Sequence, residues 1–160
     1  MPPSKRSEDE LTPLGKLEEG SLHGVLGYQL AQAAILTTEV FMQAAGAPLA
    51  LRPVEYTILQ LVKENAAITP GRLAKALGMT APGITIWLDR LEARELVKRE
   101  RSETDRRAQN VSVTRKGKEL VTQATKNILA EEREVLQALS EGERTLLLEL
   151  LHKVARLRAR

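Results

Sequence analysis

Cysteine is absent from this chain of 160 residues. That excludes disulfides, thiolate-bound zinc and thiol-based redox sensing. Aromatic residues are only 2% of the chain, so a core must be built from Leu, Val, Ile and Ala. There are two histidines, His23 and His152, too few for a His-rich metal site, and neither a metal nor another cofactor is expected. No glycine-rich phosphate loop occurs, and no Ser nucleophile stands near a His, so an enzyme is not expected. No apolar run reaches membrane-spanning length, and the N-terminus lacks an apolar leader. A cytoplasmic protein without membrane association is the expectation.

What is there is concentrated between residues 69 and 118. Thr69-Pro70 reads as a helix start, with Thr as cap and Pro in the first turn. Leu73, Ala74 and Leu77 follow at helical spacing, and Gly78 stops the helix. Thr80 can cap a second helix with Ile84, Leu88 and Leu91 on one face. Two helices joined by a tight glycine turn are a helix-turn-helix. Leu96 to Arg99 then reads as a strand. Val111 and Val113, alternating with Asn110, Ser112 and Thr114, read as its return. Helix, turn, helix and basic hairpin together predict a winged helix.

These residues resemble the MarR family of bacterial transcription regulators. The family's wing has an Asp-x-Arg core, a strand ending in Leu/Val-Thr and a helix beginning near Lys-Gly. Here Asp105-Arg106-Arg107, Val113-Thr114 and Lys116-Gly117 stand in that order. The resemblance covers roughly residues 22 to 158. Two departures are visible. The family often has Arg after the central Thr, where this chain has Ile86, which removes one direct base contact. It often has Gly before the first wing strand, where Glu95 stands here.

Net charge is only +3, but its distribution is uneven. Residues 94–118 hold nine basic and four acidic side chains, a net +5, while residues 1–20 hold three and five, a net −2. Positive charge gathers where phosphates would be met. A solvated charged hairpin would look the same by composition alone.

Elsewhere the chain reads as helical. Residues 1–20 are polar and read as a loose arm. A long helix is expected over 21–45, with Ser21 as its cap, and another from Pro53 ends near Asn65, a residue that tolerates the left-handed conformation. Thr114 opens a long helix to about Leu139, with Val121, Ile128 and Val135 seven apart. Ser140 and Glu143 form a capping box for a last helix to about Arg158. Its leucines cover more than one face, which predicts a second copy as partner. The expected fold class is mostly α with a small β-hairpin wing: a winged helix-turn-helix with a helical dimerisation region from both termini. The expected organisation is an arm over 1–20, a dimerisation region over 21–50 and 115–160, and a DNA-binding domain over 51–114.

The expected function is a sequence-specific regulator, a repressor, that binds double-stranded DNA as a homodimer on an inverted repeat. On the reading helix, Thr80, Thr85 and Arg90 can donate to phosphates or bases, while Ala81, Pro82 and Ile86 offer apolar contact. Trp87 reads as a packing residue. Arg99, Arg101, Arg115 and Lys116 read as phosphate neighbours. By the family resemblance Asp105 orients Arg107, and Arg106 or Arg107 enters the minor groove. The alternatives are a turn-capping Asp105 and a solvated tip. The resemblance also implies a small aromatic or phenolic acid effector, with His23, Tyr28, Gln29, Arg52 and Tyr56 as candidate contacts, unless these are plain surface or interface residues. A winged helix used for protein contact instead of DNA is the competing class. It would not need the basic wing.

Overall fold

The computed structural model describes residues 11–66, 68–101 and 109–159. Two compact units divide the chain, Met1–Glu39 and Val40–Arg160.

In the first unit, residues 11–20 are not the loose arm expected. Leu11 and Glu18 pair as an antiparallel bridge around a tight turn. Thr12 closes it: its hydroxyl donates to the Leu14 carbonyl (2.6 Å) and accepts from the Leu17 N–H (2.9 Å). A Thr side chain can supply such local partners in place of helix or sheet. A 3₁₀ turn follows over Gly20–Gly24, and Val25 is extended. The first α-helix, α1, therefore starts at Leu26 and not at Ser21, and runs to Phe41. The Glu19 carboxylate gathers both His23 and Tyr28 beside this turn.

The second unit begins as α1 widens into a π-turn over Met42–Gly46. Helix α2 (Pro53–Glu64) buries Ile58, Leu59 and Val62, and the Glu55 carboxylate accepts the Arg52 N–H at 2.9 Å. Its end differs from expectation. Asn65 is extended (φ −126°), and its amide donates to the Leu61 carbonyl at 2.9 Å. The side chain thus satisfies an orphan carbonyl without a left-handed turn.

Helix α3 (Pro70–Leu77) is capped by Thr69, which accepts from the Arg72 N–H at 3.3 Å. Gly78 ends it at φ 64°, with Met79 N–H bonded to the Ala74 carbonyl (2.9 Å) and Gly78 N–H to that of Lys75 (3.3 Å). This is a Schellman ending, and glycine adopts its left-handed backbone freely. Helix α4 (Ala81–Ala93) is capped by Thr80 and buries Ile84, Leu88 and Leu91. It ends the same way, with Leu96 N–H on Leu91 and Glu95 N–H on Glu92. Here the left-handed residue is Glu95, at φ 59°.

Strands β1 (Val97–Arg101) and β2 (Gln109–Val113) pair antiparallel, Val97 opposite Val113 and Arg99 opposite Val111. Ile68 adds an isolated bridge to Val111 on the other side of β2, which the sequence pattern did not suggest. Thr114 caps α5 (Arg115–Val135) by accepting from the Gly117 N–H at 3.0 Å. The helix stops short of Leu139. Ser140 must be extended (ψ 160°) to cap α6 (Glu141–Arg156), so residues 136–139 turn first. A single 3₁₀ turn, Leu157–Ala159, follows α6 in place of its expected last residues.

The core is aliphatic, as the low aromatic content requires. Ile58, Leu59, Leu73, Ile84, Leu88, Leu91, Leu96, Val97, Val111 and Val121 are almost completely buried. Each such side chain contributes about 1.5–3 kcal/mol by leaving water. Gly117 is the tightest point: a Cβ there would lie 2.1 Å from the Leu96 carbonyl oxygen.

Two substitutions read these backbone constraints. Gly117→Ala should lower stability by about 1–3 kcal/mol, because the clash is with backbone that cannot swing away. Glu95→Gly should raise it by roughly 1 kcal/mol by relieving the left-handed strain. Urea unfolding of the two variants beside the wild type measures both, and no change in either would contradict the assigned geometry.

Candidate nucleic-acid interface

Burial of Ile84, Leu88 and Leu91 fixes how α4 is turned. Thr80, Ala81, Pro82, Thr85, Ile86 and Arg90 all remain exposed. Ile86 is 54% exposed, a large apolar side chain that faces solvent from the middle of a helix. The two threonines differ in what they can offer. The Thr80 oxygen accepts from the Gly83 N–H (3.2 Å), so its O–H is free to donate outward. The Thr85 O–H donates to the Ala81 carbonyl (3.0 Å), which leaves an acceptor where the sequence suggested a donor.

Most cations at the wing root already have partners. The Arg99 guanidinium is bound to Asp89 and to Glu92 (3.0 Å), and its side chain is only 17% exposed. The Arg99 N–H also donates to Glu92. Its pKa is pushed up, mainly by the hydrogen bond to Asp89. Arg99 therefore fastens β1 to α4. Lys98 pairs with Glu100, and Lys116 donates to the Arg94 carbonyl (2.9 Å) and to Glu95 (3.4 Å). Arg94 reaches the buried Glu55 at 3.3 Å. Arg115 is 92% exposed and only loosely near Glu119 (3.8 Å). Arg101 is exposed as well. Asp105, Arg106 and Arg107 lie outside the described residues.

Trp87 is half-buried beside the buried face, as a packing residue would be, but it also carries cations. The guanidinium of Arg90 lies 4.9 Å from the ring centre and that of Arg52 lies 5.7 Å from it. The first contact is an i,i+3 neighbour on one helix and could have been read from spacing. The second joins α4 to the start of α2, which no local pattern reveals.

The residues proposed for an effector fall into separate environments. In the first unit, the buried Glu19 accepts from the Tyr28 hydroxyl (2.9 Å) and meets His23 Nδ1 (3.1 Å), while Gln29 donates to the His23 carbonyl (2.9 Å). The hydrogen bond from His23, then that from Tyr28, hold the Glu19 carboxyl below its ordinary range. Burial, then the bond to Glu19, push the Tyr28 phenol up. Sequence reasoning missed Glu19 as the centre of this group. Gln29 also lines a largely apolar recess of about 670 Å³ with Leu14, Leu17, Ile35 and Leu36. In the second unit, Tyr56 pairs its hydroxyl with Thr125 (3.0 Å) and its ring with Phe41, and Arg52 sits by Trp87.

Known proteins share this arrangement. The MarR family profile matches residues 51–108. The chain is 26% identical over 151 residues to a putative transcriptional regulatory protein for the hcr operon of Thauera aromatica, covering 94% of this chain and 91% of that protein. The structure of the transcriptional repressor CouR bound to a 23-mer DNA duplex superposes with a TM-score of 0.79 at 33% identity, over 87% of this chain and 98% of that one. The chain belongs to the MarR family. A mutant MarR from E. coli, complexed with operator DNA, is 25% identical over 81% of this MarR-family chain and 92% of its own, with a TM-score of 0.72. As a MarR-family transcription regulator the molecule carries its winged helix in α3, α4, β1 and β2. The Glu95 departure now has a conformational meaning, since a left-handed backbone favours the glycine common at that place in the family. No described helix is long and apolar enough to cross a membrane.

The Glu19 group gives a pH test. A carboxyl held below its unfolded value adds stability above the ordinary glutamate pKa, and that stability is lost as pH falls through the folded value. Urea unfolding between about pH 6 and about pH 3 should show a shallower loss for Glu19→Gln than for wild type. Parallel curves would remove the assigned cause.

Proposed function

We propose that this MarR-family regulator is a cytoplasmic repressor that binds double-stranded DNA as a homodimer, with α4 of each copy in a major groove of an inverted repeat. The observation that carries the proposal is the orientation of α4. Its aliphatic side is sealed, and its other side offers a hydroxyl donor at Thr80, an acceptor at Thr85, a bare Ile86 and the cation of Arg90. An oxygen acceptor suits the amino edges of adenine or cytosine, and Ile86 suits a thymine methyl. Arg115 and the basic wing supply phosphate contacts, and Asp105, Arg106 and Arg107 the minor-groove reading that the resemblance implies. Arg99 then serves by holding β1 on α4. The DNA-bound CouR and E. coli MarR relatives support the same mode. No enzymatic reaction is assigned.

Homodimerisation is supported by α6. None of its residues is buried, and Leu146, Leu147, Leu148, Leu150, Leu151 and Val154 are all substantially exposed. A stripe of that size on a soluble chain calls for a cover. Release by a small aromatic or phenolic acid completes the proposal. Gln29, which lines the apolar recess and bonds to the His23 carbonyl, supports it, with His23 and Tyr28 gathered on Glu19 in the same unit. Arg52, drawn to Trp87, is assigned to the duplex instead. An effector moves the equilibrium only by binding the released state more tightly than the DNA-bound one.

Arg107→Ala should weaken operator binding by roughly 1–3 kcal/mol at fixed salt, measured by gel shift. An unchanged affinity would falsify the wing assignment. Footprinting should reveal paired half-sites about one turn, 10 bp, apart, and a solitary half-site would contradict the dimer. Titration with aromatic acids should change the emission of Trp87 or release heat. Silence in both would leave the effector without support.

A further inference from the structure

Resting on the duplex-binding proposal, we propose that Trp87 is a rack that holds Arg52 and Arg90 as a two-pronged clamp on the DNA backbone beside the reading helix. Both guanidiniums lean on the same indole, Arg90 at 4.9 Å and Arg52 at 5.7 Å from its centre. Both side chains belong to exposed residues. Their centres are separated by no more than the sum of those distances, close enough for both to meet neighbouring phosphates of one strand.

The contrast with the neighbouring cations decides the argument. Arg94, Lys98, Arg99 and Lys116 each pair with a carboxylate. A cation already neutralised by the protein displaces few counterions when it meets a phosphate. Among the described residues, no carboxylate pairs with Arg52 or Arg90, and an aromatic face holds each one without cancelling its charge. A stacked guanidinium also loses less side-chain freedom on binding than a free one. The Arg52 N–H is satisfied by Glu55, which anchors the backbone while leaving the guanidinium free. Trp87 is then a positioning residue, and the contact it positions is blind to base sequence.

The test uses the full chain, a duplex selected by the protein from a random pool, and an unrelated duplex of equal length. Fluorescence anisotropy over a series of salt concentrations gives affinity and its salt slope. Arg52→Gln should weaken binding to both duplexes by the same factor, about tenfold for each reading head, and flatten the slope by about one for each head. Trp87→Leu should weaken both in the same way, and Trp87→Phe should restore most of the loss, since phenylalanine keeps an aromatic face. Arg52 is exposed, so Arg52→Gln leaves folding intact and keeps the test decisive even if Trp87→Leu unfolds. Wild-type slope and affinity in Arg52→Gln would overturn the clamp while leaving duplex binding intact. A loss confined to the selected duplex would also overturn it, by making Arg52 a base reader. Wild type that binds neither duplex would instead sink the function on which the clamp rests.

Discussion

The burial of Ile84, Leu88 and Leu91 is the contact on which the rest of the winged helix depends. Three aliphatic side chains at helical spacing leave α4 one rotational setting that removes them from water. That setting decides which residues are presented outward. It also brings Trp87 within reach of Arg52 and sets Asp89 and Glu92 where Arg99 of β1 can bind both. The polar surface is thus a consequence of the apolar one.

Local chemistry then trims each element. Thr69, Thr80, Thr114 and Ser140 each accept an N–H in the first turn of a helix, so four of the six α-helices among the described residues start where a hydroxyl dictates. Gly78 and Glu95 end α3 and α4 with the same pair of backbone bonds. Because one is glycine and the other is not, the two endings differ in strain though not in geometry.

Features that rest on neighbours in sequence were legible before any coordinates. The four hydroxyl caps, the Gly78 stop, the aliphatic face of α4 and the alternation of Val111 and Val113 all declare themselves within a few residues. Features that join distant segments were not. Nothing near Arg52 says that its partner is Trp87, nothing near Ile68 says that it pairs with Val111, and nothing near Glu19 says that it gathers His23 and Tyr28. Charge counting had a related limit. It located the basic stretch, but it could not tell which cations the protein neutralises itself, as it does Arg99. The residues proposed for an effector were the least legible, because no spacing links them in sequence and the fold distributes them among different partners.

In the proposed homodimer, a helix that buries none of its side chains in its own chain would owe its persistence to mass action. Helix α6 is in that position. Most helical stability in proteins comes from packing an apolar face, not from propensity. Covered by a second copy, its contribution to folding rises with the logarithm of protein concentration. Dilution would then loosen the C-terminal end of that homodimer before the aliphatic core around Leu88 is touched. In the proposed homodimer, the amount of protein in a cell would thereby set how much of it is assembled.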